Sequence, residues 1–282
     1  MGPEHPEREH SVAVLLAQLP PSTNDVLTSA HRIGELLTEH PEAELAVFPE
    51  LYLSGNSLHL ALESAVTTSS RAVQRIREAA RRTHTAVVVG MVERSAGFPC
   101  DAALCVDEEG DVAGVYRKVH LAPEEHRYLA PGSSFVVVPL AGVRVAPMMA
   151  ADLSFPESTR GVARAGCELL VTLGATEDAD AAERAMFVRA RAVENRTPHV
   201  YVNRVGDESG RRYSGESVVI DAGGDLLAGL VPLRPEVRVV EVPVGGTVEP
   251  HYPHEAVDVP VLGIADHPSS RGGTRLALPR SP

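Results

Sequence analysis

The chain repeatedly places a short, nearly uninterrupted apolar run just before a cluster of polar residues. Residues 12–19, 45–48, 86–92, 143–149 and 168–173 are such runs. Four to eight apolar residues between turn signals suit a strand buried on both faces. Helical spacing lies between them. Leu27, Ala30, Ile33 and Leu37 recur at that period after the capping candidates Ser22, Thr23, Asn24 and Asp25. Residues 71–82, 160–166 and 181–195 also read as helices. Residues 103–106 and 112–116 flank Asp107, Glu108, Glu109 and Gly110, an acidic turn that predicts a hairpin. Residues 136–140 and 143–149, split by Ala141 and Gly142, form another pair. Residues 199–204, 217–221 and 237–242 complete the expected strands, with Gly223 and Gly224 as a turn. Alternating strands and helices, interrupted by hairpins, predict an α/β layered fold with a mixed sheet.

Hydrophobic residues make up 44% of the 282, enough for one large core. No linker splits the chain, so the expectation is one domain over residues 1–266. A tail rich in Pro, Ser, Gly and Arg follows over 267–282. The net charge is −12 and the Lys and Arg residues form no dense cluster, which argues against a nucleic-acid partner. Cys100, Cys105 and Cys167 are too few, and odd in number, for a disulfide framework. They fit a reduced, cytoplasmic setting. Residues 1–10 are polar, with no apolar core of a signal peptide, and no run reaches the roughly 18 residues of a membrane span. A soluble protein without membrane contact is expected.

Three segments put polar residues at strand ends, where α/β sheets usually meet their ligands. In the first, Glu50 follows Val47, Phe48 and Pro49. Burial there is expected to raise its pKa, which suits a general base. In the second, Lys118 and His120 follow Tyr116 and Arg117, with Glu124, Glu125, Pro131 and Gly132 beyond. A lysine at such a point can stabilise a developing oxyanion. In the third, Met148, Met149, Ala150, Ala151 and Asp152 lead into Phe155, Pro156, Glu157 and Arg160. A strand turning sharply into a helix can present a nucleophile at an exposed elbow. No nucleophile stands at this one. Taken singly, the first is more readily an ordinary strand-terminal Glu and the second a solvated loop charge; order and spacing make the case.

In that order the segments resemble the nitrilase superfamily of carbon–nitrogen hydrolases. Its landmarks are a Glu after a strand, a Lys in a Lys-x-His-Leu setting and a Cys in a Cys-x-Asp setting. Glu50 and Lys118 match the first two, and Ala150 stands where the third has Cys. Glu125, seven residues before Gly132, falls at the family's supporting glutamate. Further matches are Arg189 to Asn195, Asn203 to Gly206, Gly215 to Ser217, and Asp221 with Gly224, so the likeness runs over about residues 12–242.

The resemblance implies a four-layer α-β-β-α sandwich with mixed sheets, commonly assembled as a homodimer; no Gly-rich phosphate loop is present, and no cofactor is expected. It implies that a small-molecule amide is cleaved through a thioester. Glu50 would be the base, Lys118 and the Ala151 N–H would hold the oxyanion, and Glu125 would orient the pair. Ala150 has no lone pair and no titratable proton. Loss of such a nucleophile costs on the order of 10⁶ in rate. Two origins fit: a cysteine replaced in an otherwise complete site, which the intact surroundings favour, or a pseudoenzyme that binds a ligand or partner. Ser154, Cys100, Cys105 and Cys167 are poorly placed to substitute. His251 and His254 have a ligand-like gap, but Pro253 interrupts it and no acidic or Cys partner is evident nearby, so no metal is expected. For substrate contacts the expectation is Ala151 and Ala175, which leave room, and Tyr52, Phe155 or Phe187 as aromatic walls.

Overall fold

Side chains of β1 (His10–Gln18) alternate between two buried surfaces. Val12, Val14 and Leu16 join one cluster, while Leu15 and Ala17 join another. This is the period-two consequence of an extended backbone with no solvated face. The computed structural model describes residues 10–20, 25–55, 57–208 and 210–245. Residues 1–9, the capping candidates Ser22 to Asn24, His251, His254 and the tail from His267 lie outside the described residues.

The chain continues through α1 (Val26–Glu39), β2 (Leu45–Val47), a short α2 (Ala61–Ser64), α3 (Arg71–Thr83) and β3 (Ala86–Glu93). The hairpin β4 (Cys100–Val106) and β5 (Val112–Arg117) follows. The second half holds β6 (Val138–Leu140), β7 (Val143–Met149), α4 (Pro156–Arg164), β8 (Leu169–Gly174), α5 (Ala181–Asn195) and β9 (His199–Asn203). It ends with β10 (Val205–Glu208), β11 (Arg211–Ser214), β12 (Val218–Ile220), β13 (Leu226–Gly229) and β14 (Glu236–Val244).

Two six-stranded mixed sheets result. One runs β14-β1-β2-β3-β4-β5, the other β13-β12-β9-β8-β7-β6. Each has three parallel strands at its centre, β1-β2-β3 and β7-β8-β9, flanked by antiparallel strands. Val12, Val47, Val88, Val145, Val171 and Val202 meet between the sheets. The outer face of the first sheet packs on α1 and α3 through Ile33, Leu37, Val73 and Ile76. The outer face of the second packs on α4 and α5 through Val162, Val188 and Ala192. The four α-β-β-α layers expected from the sequence are therefore present.

Local signals explain the helix ends. Asp25 caps α1, accepting from Leu27 N and Thr28 N, and Ser70 caps α3. Helix α4 begins at Pro156, four residues before the expected start, because proline is well suited to a first helical position. The β10–β11 pair was not expected, since its residues are mostly polar and do not alternate.

Candidate active site

Glu50 sits just beyond β2, on a turn whose next residue, Leu51, has φ 54°. The turn lies directly across β3. A Cβ at Gly90 would be 2.3 Å from Leu51 N and 2.4 Å from Pro49 O, so only glycine allows the approach. Lys118 follows β5, and its backbone is held by two bonds, Lys118 N to Asp101 O at 2.9 Å and Gly132 N to Lys118 O at 2.7 Å. Glu50 is 3% exposed and Lys118 4%.

These residues converge. Lys118 Nζ donates to Glu50 Oε1 at 2.7 Å and to Glu125 Oε1 at 2.8 Å. The other oxygen of Glu125 accepts from Ala122 N at 2.7 Å, which fixes the carboxylate. A third carboxyl group, Asp101 on β4, brings Oδ2 to 3.5 Å from Nζ. Oxygens of Glu50, Asp101 and Glu125 lie within 4.8 Å of one another. Such a trio could hold a cation, and the lysine ammonium is the cation that contacts all three.

Burial pushes the Glu50 carboxyl up, but the Lys118 charge, the neighbouring Asp101, the Lys118 hydrogen bond and the Arg184 charge together outweigh it. Its pKa is held below the ordinary carboxylate value. The expected rise is thus corrected: the sequence shows the burial but not the ammonium 2.7 Å away. Burial alone would lower Lys118, yet Glu50, Asp101 and Glu125 raise it well above its ordinary value.

The elbow after β7 is a short 3-10 turn, Ala150–Ser154. Asp152, fully buried, ties it to the lysine segment. It accepts from Met149 N at 3.0 Å, Tyr116 Oη at 2.6 Å and His120 N at 3.2 Å, and pairs with His120 Nδ1 at 2.8 Å. Two arginines of α5, seven residues apart, fasten the same turn from outside. Arg184 donates to the Ala150 carbonyl, and Arg191 donates twice to that of Leu153, at 3.0 and 2.8 Å.

A cavity of about 170 Å³ opens at this junction, lined among others by Glu50, Lys118, Glu125, Ala150, Ala151 and Ala175. The structure thus brings together Glu50, Lys118, Glu125 and the elbow, with Ala151 and Ala175 on the same wall. Tyr52 is placed elsewhere: it is 2% exposed and packs beside Phe48, ring centroids 5.2 Å apart, in the helix-facing core. Phe155 is also off the cavity wall and stacks on His120 at 3.8 Å. Phe187 lies beneath Arg184 and Arg191. These aromatic assignments rested on composition; Tyr52 lies in the turn beyond β2, Phe155 between the elbow and α4, and Phe187 on α5. Cys100, Cys105 and Cys167 are buried and free, and none lines the cavity. Burial pushes the thiols of Cys105 and Cys167 up to about 12.

Sequence reasoning missed Asp101 and Arg184. An aspartate opening an otherwise apolar strand was one available signal. The seven-residue repeat from Arg184 to Arg191 was another.

The profile of the carbon–nitrogen hydrolase family matches residues 13–250. The chain belongs to that family, within the nitrilase superfamily. It is 34% identical over 234 residues to an (R)-stereoselective amidase of a Pseudomonas species, covering 80% of this chain and 83% of that one. Among solved structures it resembles a cysteine-to-alanine mutant of the Nesterenkonia AN1 amidase, with a TM-score of 0.77 and 27% identity over 84% of this chain and 92% of that one. Another structure of that amidase, with the acetamide moiety of fluoroacetamide added covalently at its active-site cysteine, aligns with a TM-score of 0.76 and 26% identity over 86% of this chain and 94% of that one. No helix among the described residues is long and apolar enough to cross a membrane.

Proposed function

We propose that the cavity is the acyl-transfer site of an amidase from which the nucleophile is missing, so that it holds a small amide without cleaving it. The observation that supports this is the pairing of Lys118 with Glu50 and Glu125 at 2.7 and 2.8 Å, beside the elbow that carries Ala150. An ammonium has three N–H bonds. Two go to the glutamates, and the third is available to an oxygen in the cavity. The Ala151 N–H at the elbow supplies a second donor. Together they form an oxyanion site in a water-poor setting.

With a thiol at position 150 the groups suffice for hydrolysis. Glu50 takes the S–H proton as sulfur bonds to the amide carbon. The carbonyl electrons move to the oxyanion held by Lys118. Glu50 then gives its proton to the departing nitrogen as the C–N bond breaks, leaving a thioester. Water loses a proton to Glu50, attacks the thioester carbon and releases the carboxylic acid. The sulfur leaves as thiolate and regains the proton from Glu50. A lowered Glu50 pKa keeps the resting carboxylate ready to accept. The cavity of about 170 Å³, small beside the roughly 300 Å³ at which drug-sized ligand sites begin, suits a small amide.

Ala150 itself favours a second reading, a binding protein of the same fold. Ammonia release from a panel of amides, ω-amides and N-carbamoyl compounds separates the two. Turnover only after Ala150→Cys supports the amidase reading; no turnover in either folded form leaves the binding protein. A homodimer belongs to the same proposal by family likeness, and a cytoplasmic location by the sparse, unpaired cysteines.

A further inference from the structure

Asp101 is fully buried, and neither of its carboxyl oxygens accepts a hydrogen bond from a protein donor among the described residues. Its place is set by the sheet. Register in the β4–β5 hairpin pairs Ala102 with Arg117, which leaves Asp101 beside Lys118. Lys118 Nζ approaches Oδ2 only to 3.5 Å, because its short bonds go to Glu50 and Glu125. Its other polar neighbours are the carboxylates of Glu50 and Glu125, both acceptors, with oxygens within 4.8 Å.

Charge counting gives the same answer. With all three carboxyl groups ionised, Glu50, Asp101, Glu125 and Lys118 would carry a net −2 in a nearly dry site. A buried carboxylate without donors is strongly disfavoured, and one of several crowded carboxylates keeps a proton. Glu50 and Glu125 each receive an ammonium N–H. Asp101 receives none, so it is the group that keeps the proton.

We infer that Asp101 is a positioning residue of this site: a neutral carboxylic acid that donates its proton to Glu50 and leaves the third N–H of Lys118 to the cavity. An ionised Asp101 would draw that N–H to itself and compete with any ligand oxygen. A neutral one gives the resting cluster a charge of −1, which becomes zero when Glu50 takes a proton. Its burial and the charges of Glu50 and Glu125 push its pKa well up against the pull of Lys118. Tyr116 and Cys100 are the other titratable groups that sense its charge. This inference deepens the amidase reading, but its direct test needs no turnover.

The test is carbon-13 NMR of the protein as it stands, labelled at aspartate carboxyl carbons and titrated from acid to pH 8. One aspartate signal is expected to stay at the protonated position at pH 8 and to vanish in Asp101→Asn. If every aspartate signal in the unsubstituted protein has moved to the ionised position by pH 8, the inference fails, whether or not the variant folds. A second readout uses the Ala150→Cys background. Asp101→Asn, also a neutral donor, should leave the acid limb of the kcat/KM profile in place. Asp101→Ala, which donates nothing, should move that limb to higher pH by about one unit, tenfold in proton affinity. A shift to lower pH in both Asn and Ala variants would show a lost negative charge rather than a lost donor and would overturn the inference. Absence of turnover in Ala150→Cys would count against the amidase reading alone, since the NMR result stands apart from it.

Discussion

Lys118 Nζ and Glu50 Oε1 are 2.7 Å apart, with each side chain only 5% exposed. One residue arrives from the end of β5, an edge strand, and the other from the end of β2, a central strand, so the pair ties edge and middle of the first sheet together at the site. Breaking a buried pair by deleting one partner leaves an uncompensated charge. Lys118→Ala should therefore destabilise the fold by about 3–5 kcal/mol, which urea unfolding would register. A loss below about 1 kcal/mol is what an exposed pair would show.

Asp152 joins the elbow to the lysine segment through Tyr116, Met149 and His120. Replacing it with Ala strands at least three buried or partly buried donors. The expected cost is about 3 kcal/mol or more, with near-ultraviolet changes from Tyr116. Preserved stability would mean that the donors find other partners.

Gly90 lets the Glu50 turn cross β3. Gly90→Ala puts a methyl 2.3 Å from Leu51 N, and backbone cannot yield as a flexible side chain can. Overpacking of this kind costs about 1–3 kcal/mol or more. The melting temperature should fall, and an amide ligand that binds the unsubstituted protein should bind the variant more weakly. Unchanged affinity would show that Glu50 keeps its place without the close approach.

Stability should depend on pH with two opposite signs. Glu50 is depressed below its unfolded value near 4.5, so its contribution is present above that pH and is lost as pH falls through the folded value. Asp101 is raised above its unfolded value near 3.8, so its contribution is full below that pH and is lost as pH rises toward the folded value. Asp101→Asn removes only the second dependence. Relative to the parent, the variant should gain stability between about pH 4 and neutrality, measured by thermal melts in a pH series. A gap that stays constant with pH would rule out the raised carboxyl.

Much of this was readable before any coordinates. Short apolar runs such as 12–19 and 86–92 became strands buried on both faces, since they are too short for typical buried helices. Glu50, Lys118 and Glu125 could be picked out by order and spacing, since motifs at strand ends are local. What could not be read was lateral. The β4–β5 register decides that Asp101, not an alternative acid, stands beside Lys118. Burial class likewise separates Tyr52, sealed against Phe48, from a ring on a cavity wall. The direction of the Glu50 shift also depended on the position of a side chain 68 residues away.

Mass analysis of Ala150→Cys shows directly whether position 150 is where the missing nucleophile belongs. Ala150→Cys protein would be quenched during turnover of a small amide, then digested and mapped. An adduct of one acyl group is expected on the peptide holding position 150, absent from the unsubstituted protein and removable by hydroxylamine. Turnover with no adduct, or an adduct on Cys100, Cys105 or Cys167, would contradict it.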